Sequence, residues 1–465
     1  MEAAPVVTRV PLGTAEWACV AVAVVVAHAF LIHELLYPSA WDATVYVDIG
    51  RDIAEHGLLR VYYGSEFRTY GYPLLVSLVL RAADATGVSF VVLLFALQLL
   101  AYVAAAVFLR KALAPASPKT ARIAFCGLLL NYYVLIYTPA SLTESLSLTL
   151  LVTAAAWWVL LWRKGLNAWP LLAGGLTVGF ALVVRPANAY LLAAWAFGVV
   201  VLFLRQRPAP VRAALLAAVA ATGIVLPVGP QVGFNAVYYG NLTPFVAIDL
   251  GHWQQILGIR NIKYGTAMPP VPEARIRYNN PLFNGTSMST TAPLRWYVDY
   301  PWHGVATVAL HTFNLTDQDL LFTYSRDLKP WYRVPLGIVN HAVVGLGLLG
   351  LVLLGRRVRI APDPHARDAF AVLLALITVN WAVYAWTAVE MRFGAMLLLV
   401  VFPLAGFAMT EVAVARMRVR AMVALGTTAY VVFALVLSGW VRDQAPAIRG
   451  AGTERGIVVG EPNVR

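Results

Sequence analysis

The sequence predicts an all-α, multi-pass membrane protein, and three observations predict it. Hydrophobic residues make up 60% and charged residues only 12% of 465 positions, a balance too apolar for soluble domains of ordinary make-up. Apolar segments recur near 14–36, 89–109, 121–138, 143–162, 169–184, 187–204, 213–237, 334–354, 368–389, 393–414 and 421–440. Judged by the ~20 residues that cross a ~30 Å hydrocarbon core, these make about eleven transmembrane helices. Short basic clusters punctuate the segments at alternate ends, the pattern of a topology signal.

Taken in order, the first span (14–36) is too long for the apolar core of a signal peptide and lacks a small-residue cleavage site, so it reads as a retained first helix. The stretch 37–88 follows it, acid-rich and polar, as a first exterior loop. Within it Asp42 to His56 reads as a short amphipathic helix, with Val45, Ile49 and Ile53 on one side and Gly57 as its stop. Tyr70 to Leu80, opened by Gly71-Tyr72-Pro73, is apolar but too short to span, and fits a surface-lying or re-entrant helix. Arg185-Pro186 divides 169–184 from 187–204, because Pro disfavours helix at the residue before it. Two spans and one broken helix are both open there, although a single helix would invert everything downstream, against the basic clusters that follow Leu354 and Ala415.

The clusters Arg110/Lys111/Lys119/Arg122, Arg163/Lys164, Arg205/Arg207/Arg212, Arg356/Arg357/Arg359 and Arg416/Arg418/Arg420 are assigned to the cytoplasm. Residues 37–88, 238–333 and the tail 441–465 then face the exoplasmic side. The division is an N-terminal module (1–237), a cap loop (238–333) and C-terminal helices (334–440). Residues 238–333 carry Pro, Asn, Gly and many aromatics with mixed charge, which predicts a partly helical cap over the first loop and not a disordered linker.

Several chemistries are excluded. The net charge of +12 is spread over span ends and forms no stripe, which argues against a nucleic-acid partner. Cys19 and Cys126 lie inside apolar segments as small packed side chains. His252, His303 and His311 show no zinc-ligand spacing, so no metal is expected. Neither a Walker-type loop nor a Rossmann glycine fingerprint occurs, so no nucleotide or other cofactor is called for. Gly175 and Gly179 form a Gly-x-x-x-Gly pair that predicts close helix packing. The sequons at Asn241, Asn284 and Asn314 are taken as chance in a loop rich in Asn and Thr.

Four elements in order carry a family resemblance. Asp42-x-x-x-Tyr46, a short helix ending in Gly57, and then Arg68 with Gly71-Tyr72-Pro73 form the first. Thr143-Glu144-Ser145 opens a span, Arg185-Pro186 makes a turn, and Val389-Glu390-Met391-Arg392-Phe393 precedes a late span. Together they resemble the glycosyltransferase C superfamily, the multi-spanning enzymes that use polyprenyl-phosphate sugars, of the protein O-mannosyltransferase and aminoarabinose-transferase type. The N-terminal half and the span at 393–414 carry the likeness, whereas 238–333 matches none of its motifs.

The resemblance implies a GT-C-like fold and an inverting-type transfer on the exoplasmic face, in a bacterial plasma membrane. Such transfer needs a base for the acceptor hydroxyl and cations for the phosphate leaving group. By resemblance Asp42 is the candidate general base; as a plain helix start it would be an N-cap. Asp48 is the alternate base, with a solvated helix face as its bland reading. Glu144 is either a site-supporting or acceptor-binding carboxylate or an interfacial residue favoured by the helix dipole. Arg185 and Arg392 are expected at the donor phosphate, snorkelling being the alternative. Tyr46, Arg68, Tyr72 and Glu390 are implied as substrate contacts. The expected partners are a polyprenyl-phosphate sugar, membrane lipids and a lipid, glycan or protein acceptor. A transporter or flippase of lipid-linked saccharides is the competing reading. It would call for polar midplane residues and repeated halves, while the midplanes here are Ala, Val and Leu.

Overall fold

The computed structural model describes residues 11–36, 38–39, 42–61, 68–245, 254–255, 258–259, 263, 292–317, 333–360, 364–387, 389 and 391–443. Among these the regular structure is helical throughout. In chain order the helices are α1 (Thr14–Leu36), α2 (Asp42–His56), α3 (Leu58–Val61), α4 (Gly71–Thr86), α5 (Phe90–Leu113), α6 (Pro118–Leu129), α7 (Tyr132–Tyr137), α8 (Thr143–Lys164), α9 (Ala168–Val184), α10 (Ala189–Gln206) and α11 (Pro210–Tyr239). The second half adds α12 (Ala292–Asp299), α13 (Pro301–Asn314), α14 (Arg333–Ile360), α15 (Pro364–Ala385), α16 (Met391–Ala413) and α17 (Met417–Asp443). A bilayer offers the backbone no hydrogen-bond partner, so apolar segments of this length satisfy themselves as helices.

Among the described residues eight helices are long and apolar enough to cross a membrane: α1, α5, α8, α10, α11, α14, α16 and α17. The expected count of about eleven is reached only by including shorter or divided pieces. The apolar parts of α9 and α15, Ala168–Val184 and Ala369–Ala385, are shorter. The expected span at 121–138 is two helices, broken at buried Asn131. The Asn131 side chain accepts from Tyr133 N at 3.1 Å and donates to Leu398 O at 3.3 Å. An Asn that bonds backbone groups directly ends one helix and caps the next.

The open question at Arg185-Pro186 resolves as two antiparallel helices. Gln206, at the end of α10, accepts from Leu166 N, just before α9, at 2.9 Å, so the chain has turned back along itself. Pro186 imposes an extended Arg185 (φ −151°, ψ 112°) and a short 3-10 turn, Pro186–Asn188, makes the corner.

Small residues set the packing, as expected where lipid removes most of the hydrophobic drive between helices. A Cβ on Gly175 would lie 2.8 Å from Ala220 O, and one on Gly179 2.6 Å from Ile224 O, so α9 and α11 touch backbone to backbone. Gly179→Leu is therefore expected to destabilise the protein by about 1–3 kcal/mol through overpacking. The control is Gly229→Leu, since a Cβ there meets nothing within 4 Å. Thermal unfolding in detergent checks it, and equal melting of the two variants would refute the packing account.

In the first loop, α2 ends at His56 as expected and Gly57 follows at φ +83°. Its buried face agrees with the expected apolar stripe at Ile53 but not at Val45. Ala43, Gly50 and Ile53 are buried while Val45 is 41% exposed. The reason is α4: a Cβ on Gly50 would fall 2.4 Å from Val76 Cγ1, so the small face of α2 is the one that docks. The structure of most of 238–333, and of the tail beyond 443, lies outside the described residues.

Candidate active site

Five charged side chains from distant parts of the chain meet at one end of the bundle. Asp42 opens α2 and Arg68 precedes α4; Glu144 lies in the first turn of α8, Arg185 follows α9, and Arg392 lies in the first turn of α16. Glu144 is placed where the partial positive charge of a helix N-terminus favours a carboxylate. Gly71 lets the start of α4 reach the end of α9, since a Cβ there would lie 2.7 Å from Val183 O. That contact brings the Arg68 and Arg185 segments together. The basic residues Arg110, Lys164 and Arg357 belong to the opposite ends of their helices, so the cluster and the basic loops lie at opposite ends of the bundle.

The charges form a continuous chain. Arg68 Nη2 donates to Asp42 Oδ1 at 2.5 Å and Arg392 Nη1 donates to Asp42 Oδ2 at 3.1 Å. The same Arg392 nitrogen lies 3.6 Å from Glu144 Oε1, which accepts from Arg185 Nη1 at 2.9 Å. Arg392 thus links the two carboxylates. Asp42 keeps 26% of its side chain exposed, whereas Glu144 keeps 1%. Among the described residues three guanidinium groups face two carboxylates here.

Aromatic rings hold the guanidinium planes. Arg185 and Arg392 lie over the Phe393 ring at 5.4 and 5.2 Å, and Phe393 stacks on Tyr384 at 5.2 Å. Arg68 lies over Tyr46 at 5.3 Å, and Tyr46 packs edge-on against Tyr72 at 5.1 Å. Burial raises the Tyr46 phenol above its ordinary range, with the nearby charges modulating it, so Tyr46 is a neutral donor. Beneath the arginines a recess is lined by Ser147, Asn188, Tyr190, Ala395 and Met396. Ser147 and Asn188 hydrogen-bond each other at its wall.

Asp42, Tyr46, Arg68, Tyr72, Glu144, Arg185 and Arg392 are thus brought together, but Asp48 is not. Its side chain is 68% exposed and pairs with Arg51 at 3.5 Å. Six residues past Asp42, at about 100° per residue, it falls on the outer face of α2, while Tyr46 at four residues shares the inner one. Glu390 lies outside the described residues. Tyr384, Asn188 and Ser147 were not read from the sequence. Ser147 could have been, because three residues after Glu144 it shares that helix face. Nothing local marks Tyr384 within its apolar helix. Among the described residues no group of three or more His, Cys, Asp or Glu is placed to hold a metal ion. His311 Nδ1 instead meets Ala385 O at 3.0 Å.

No family model matches the chain, and no curated protein matches it. Solved structures do. The crystal structure of the Archaeoglobus fulgidus oligosaccharyltransferase in complex with Zn and sulfate aligns with 92% of this chain and 53% of its own, at 13% identity and a TM-score of 0.51. The same enzyme tethered by a disulfide bond to an acceptor peptide containing the NVT sequon aligns with 92% and 55%, at 13% identity and a TM-score of 0.46. The chain spans about half the length of that enzyme. This chain therefore shares its fold with that oligosaccharyltransferase, consistent with the fold that the motif resemblance implies.

Proposed function

We propose that this chain is an integral-membrane glycosyltransferase that moves a sugar from a polyprenyl-phosphate donor to an acceptor on the exoplasmic face of the plasma membrane. The observation that carries the reading is the convergence of Asp42 and Glu144 on Arg392, with Arg68 and Arg185 beside them. Arg185 and Arg392 both line the recess, a placement that suits a ligand bringing a phosphate. Guanidinium forks match phosphate oxygens two at a time, and Arg392 and Arg185, oriented by Phe393, are the pair for it. In the resting site Asp42 is charge-compensated by Arg68 and Arg392. A phosphate that recruits Arg392 leaves one Asp42 oxygen open toward an incoming acceptor.

The step follows from these positions. The acceptor oxygen attacks the anomeric carbon as the bond from that carbon to the phosphate oxygen breaks. The electron pair leaves on the phosphate, where Arg185 and Arg392 stabilise it, and the acceptor proton passes to Asp42. Glu144 has too little exposure to meet an acceptor without rearrangement, and its role is a fixed counter-charge that holds the two arginines apart and oriented. The sugar leaves the lipid with inversion, because acceptor and leaving group occupy opposite faces of the ring. Lipid, glycan and protein acceptors all fit this chemistry.

Purified protein in liposomes, given a polyprenyl-phosphate sugar, is expected to release polyprenyl phosphate in proportion to added acceptor. Movement of a fluorescent lipid-linked sugar between leaflets without such release would assign the protein to transport instead. Cysteines at positions 119 and 357 are expected to be labelled only from the cytoplasm. Labelling of either from outside would reverse the proposed orientation.

A further inference from the structure

A second buried charge cluster lies behind the turn that carries Arg392. Asp317 follows α13, and its Oδ2 accepts from Lys263 Nζ at 3.0 Å while its backbone carbonyl accepts from the same nitrogen at 2.9 Å. Ser438 of α17 donates to Oδ1 at 2.8 Å, and His341 Nε2 of α14 lies 3.5 Å from that oxygen. Lys263, Asp317 and His341 are all 2% exposed or less. Burial opposes ionisation of Asp317, yet the Lys263 charge and the surrounding hydrogen bonds prevail and hold its carboxyl down at about 2.

The segment that ends at Asp317 is pinned along its length. Thr312 accepts from Trp381 Nε1 at 2.8 Å, and Thr316 O accepts from Asn340 Nδ2 at 2.7 Å. Between them Leu315, fully buried, packs with Tyr384, Val389 and Phe393. Its carbonyl is so close to Gly394 that a Cβ there would fall 1.6 Å from it. Gly394 is two residues from Arg392. The Leu315 backbone is therefore the floor on which the Arg392 turn rests.

A buried ion pair is a poor source of net stability, since well-packed apolar residues often do as well or better in its place. What such a pair provides, and apolar residues do not, is direction. We infer that Lys263–Asp317 is a positioning element for Arg392: it holds Leu315 under Gly394 and so sets the guanidinium that receives the donor phosphate. Lys263, Leu315 and Asp317 all belong to the 238–333 segment, so the pair joins two parts of that segment while the Leu315–Gly394 approach ties it to the donor site. The inference rests on the proposed phosphate role of Arg392.

Three variants test it in detergent or liposomes: the apolar pair Lys263→Met/Asp317→Leu, the milder Ser438→Ala, and Arg392→Ala as reference. The measurements are thermal unfolding, the Kd of a short-chain polyprenyl phosphate, and KM and kcat for the donor. The apolar pair is expected to unfold at or near the wild-type temperature, keep kcat at saturating donor, and raise Kd and KM by about tenfold, since small displacements of a remote support are felt at the site. Ser438→Ala, which deletes one hydrogen bond, is expected to move Kd the same way by about threefold, and it serves if the apolar pair does not fold. Wild-type Kd in both, with Kd weakened in Arg392→Ala, would overturn this inference alone. Wild-type Kd in Arg392→Ala would overturn the phosphate role and this inference with it.

Discussion

Asp42→Asn is expected to lower transfer by about 10²-fold or more, the scale of losing a positioned general base. Asn keeps the size of the side chain and its ability to start a helix, so the fold is expected to survive. Asp42 is partly buried, and the Asn amide oxygen can still accept from one of the two arginines, which limits the loss of stability. Donor binding is expected to persist or tighten, because Arg68 and Arg392 are no longer shared with the Asp42 carboxylate. A transfer assay beside a thermal-unfolding curve decides the matter. Undiminished transfer would remove Asp42 from the chemistry, and an equally large loss of stability would make it structural.

Glu144→Ala is expected to act on the fold first. It leaves Arg185 and Arg392 facing each other without the carboxylate between them, and breaking a buried ion pair in this way costs about 3–5 kcal/mol. The lower end of that range applies, since the two arginines keep 14% and 13% exposure and some access to water. The apparent unfolding temperature should fall clearly. The double variant Glu144→Leu/Arg185→Leu should regain much of the stability, because no unpaired charge remains on that side, yet transfer should stay lost. Recovery of transfer in the double variant would show that neither residue serves the donor phosphate.

The parts of the fold legible in the sequence are those governed by local rules. The end of α2 at His56 was readable because Gly57 takes a positive φ that other residues resist. The break at Arg185 was readable because proline restricts its predecessor. Asn131 was not, since a polar residue in an apolar run looks like a tolerated guest until its side chain is seen bonding Tyr133 N and Leu398 O. The docking face of α2 was legible at Ile53 but not at Gly50, for a related reason. Hydrophobicity favours Val45 and Ile49, but Val76 needs the space above Gly50, and close approach outweighs one exposed valine.

The sequence by itself determined that this is a helical membrane protein with its acidic and basic chemistry at span ends. That information is additive along the chain: each apolar run must satisfy its own backbone, and each charge avoids the bilayer core. It also singled out Asp42, Glu144, Arg185 and Arg392 as candidates, without deciding between capping, snorkelling and a site. Only the tertiary structure decided that they share one cluster while Asp48 faces away. Asp42 and Arg392 are 350 residues apart, and no periodicity reaches across that distance. Their meeting depends on α4 resting on α9 through Gly71 and on the Arg392 turn resting on Leu315. Those are contacts between backbones, invisible in side-chain pattern until the chain has folded.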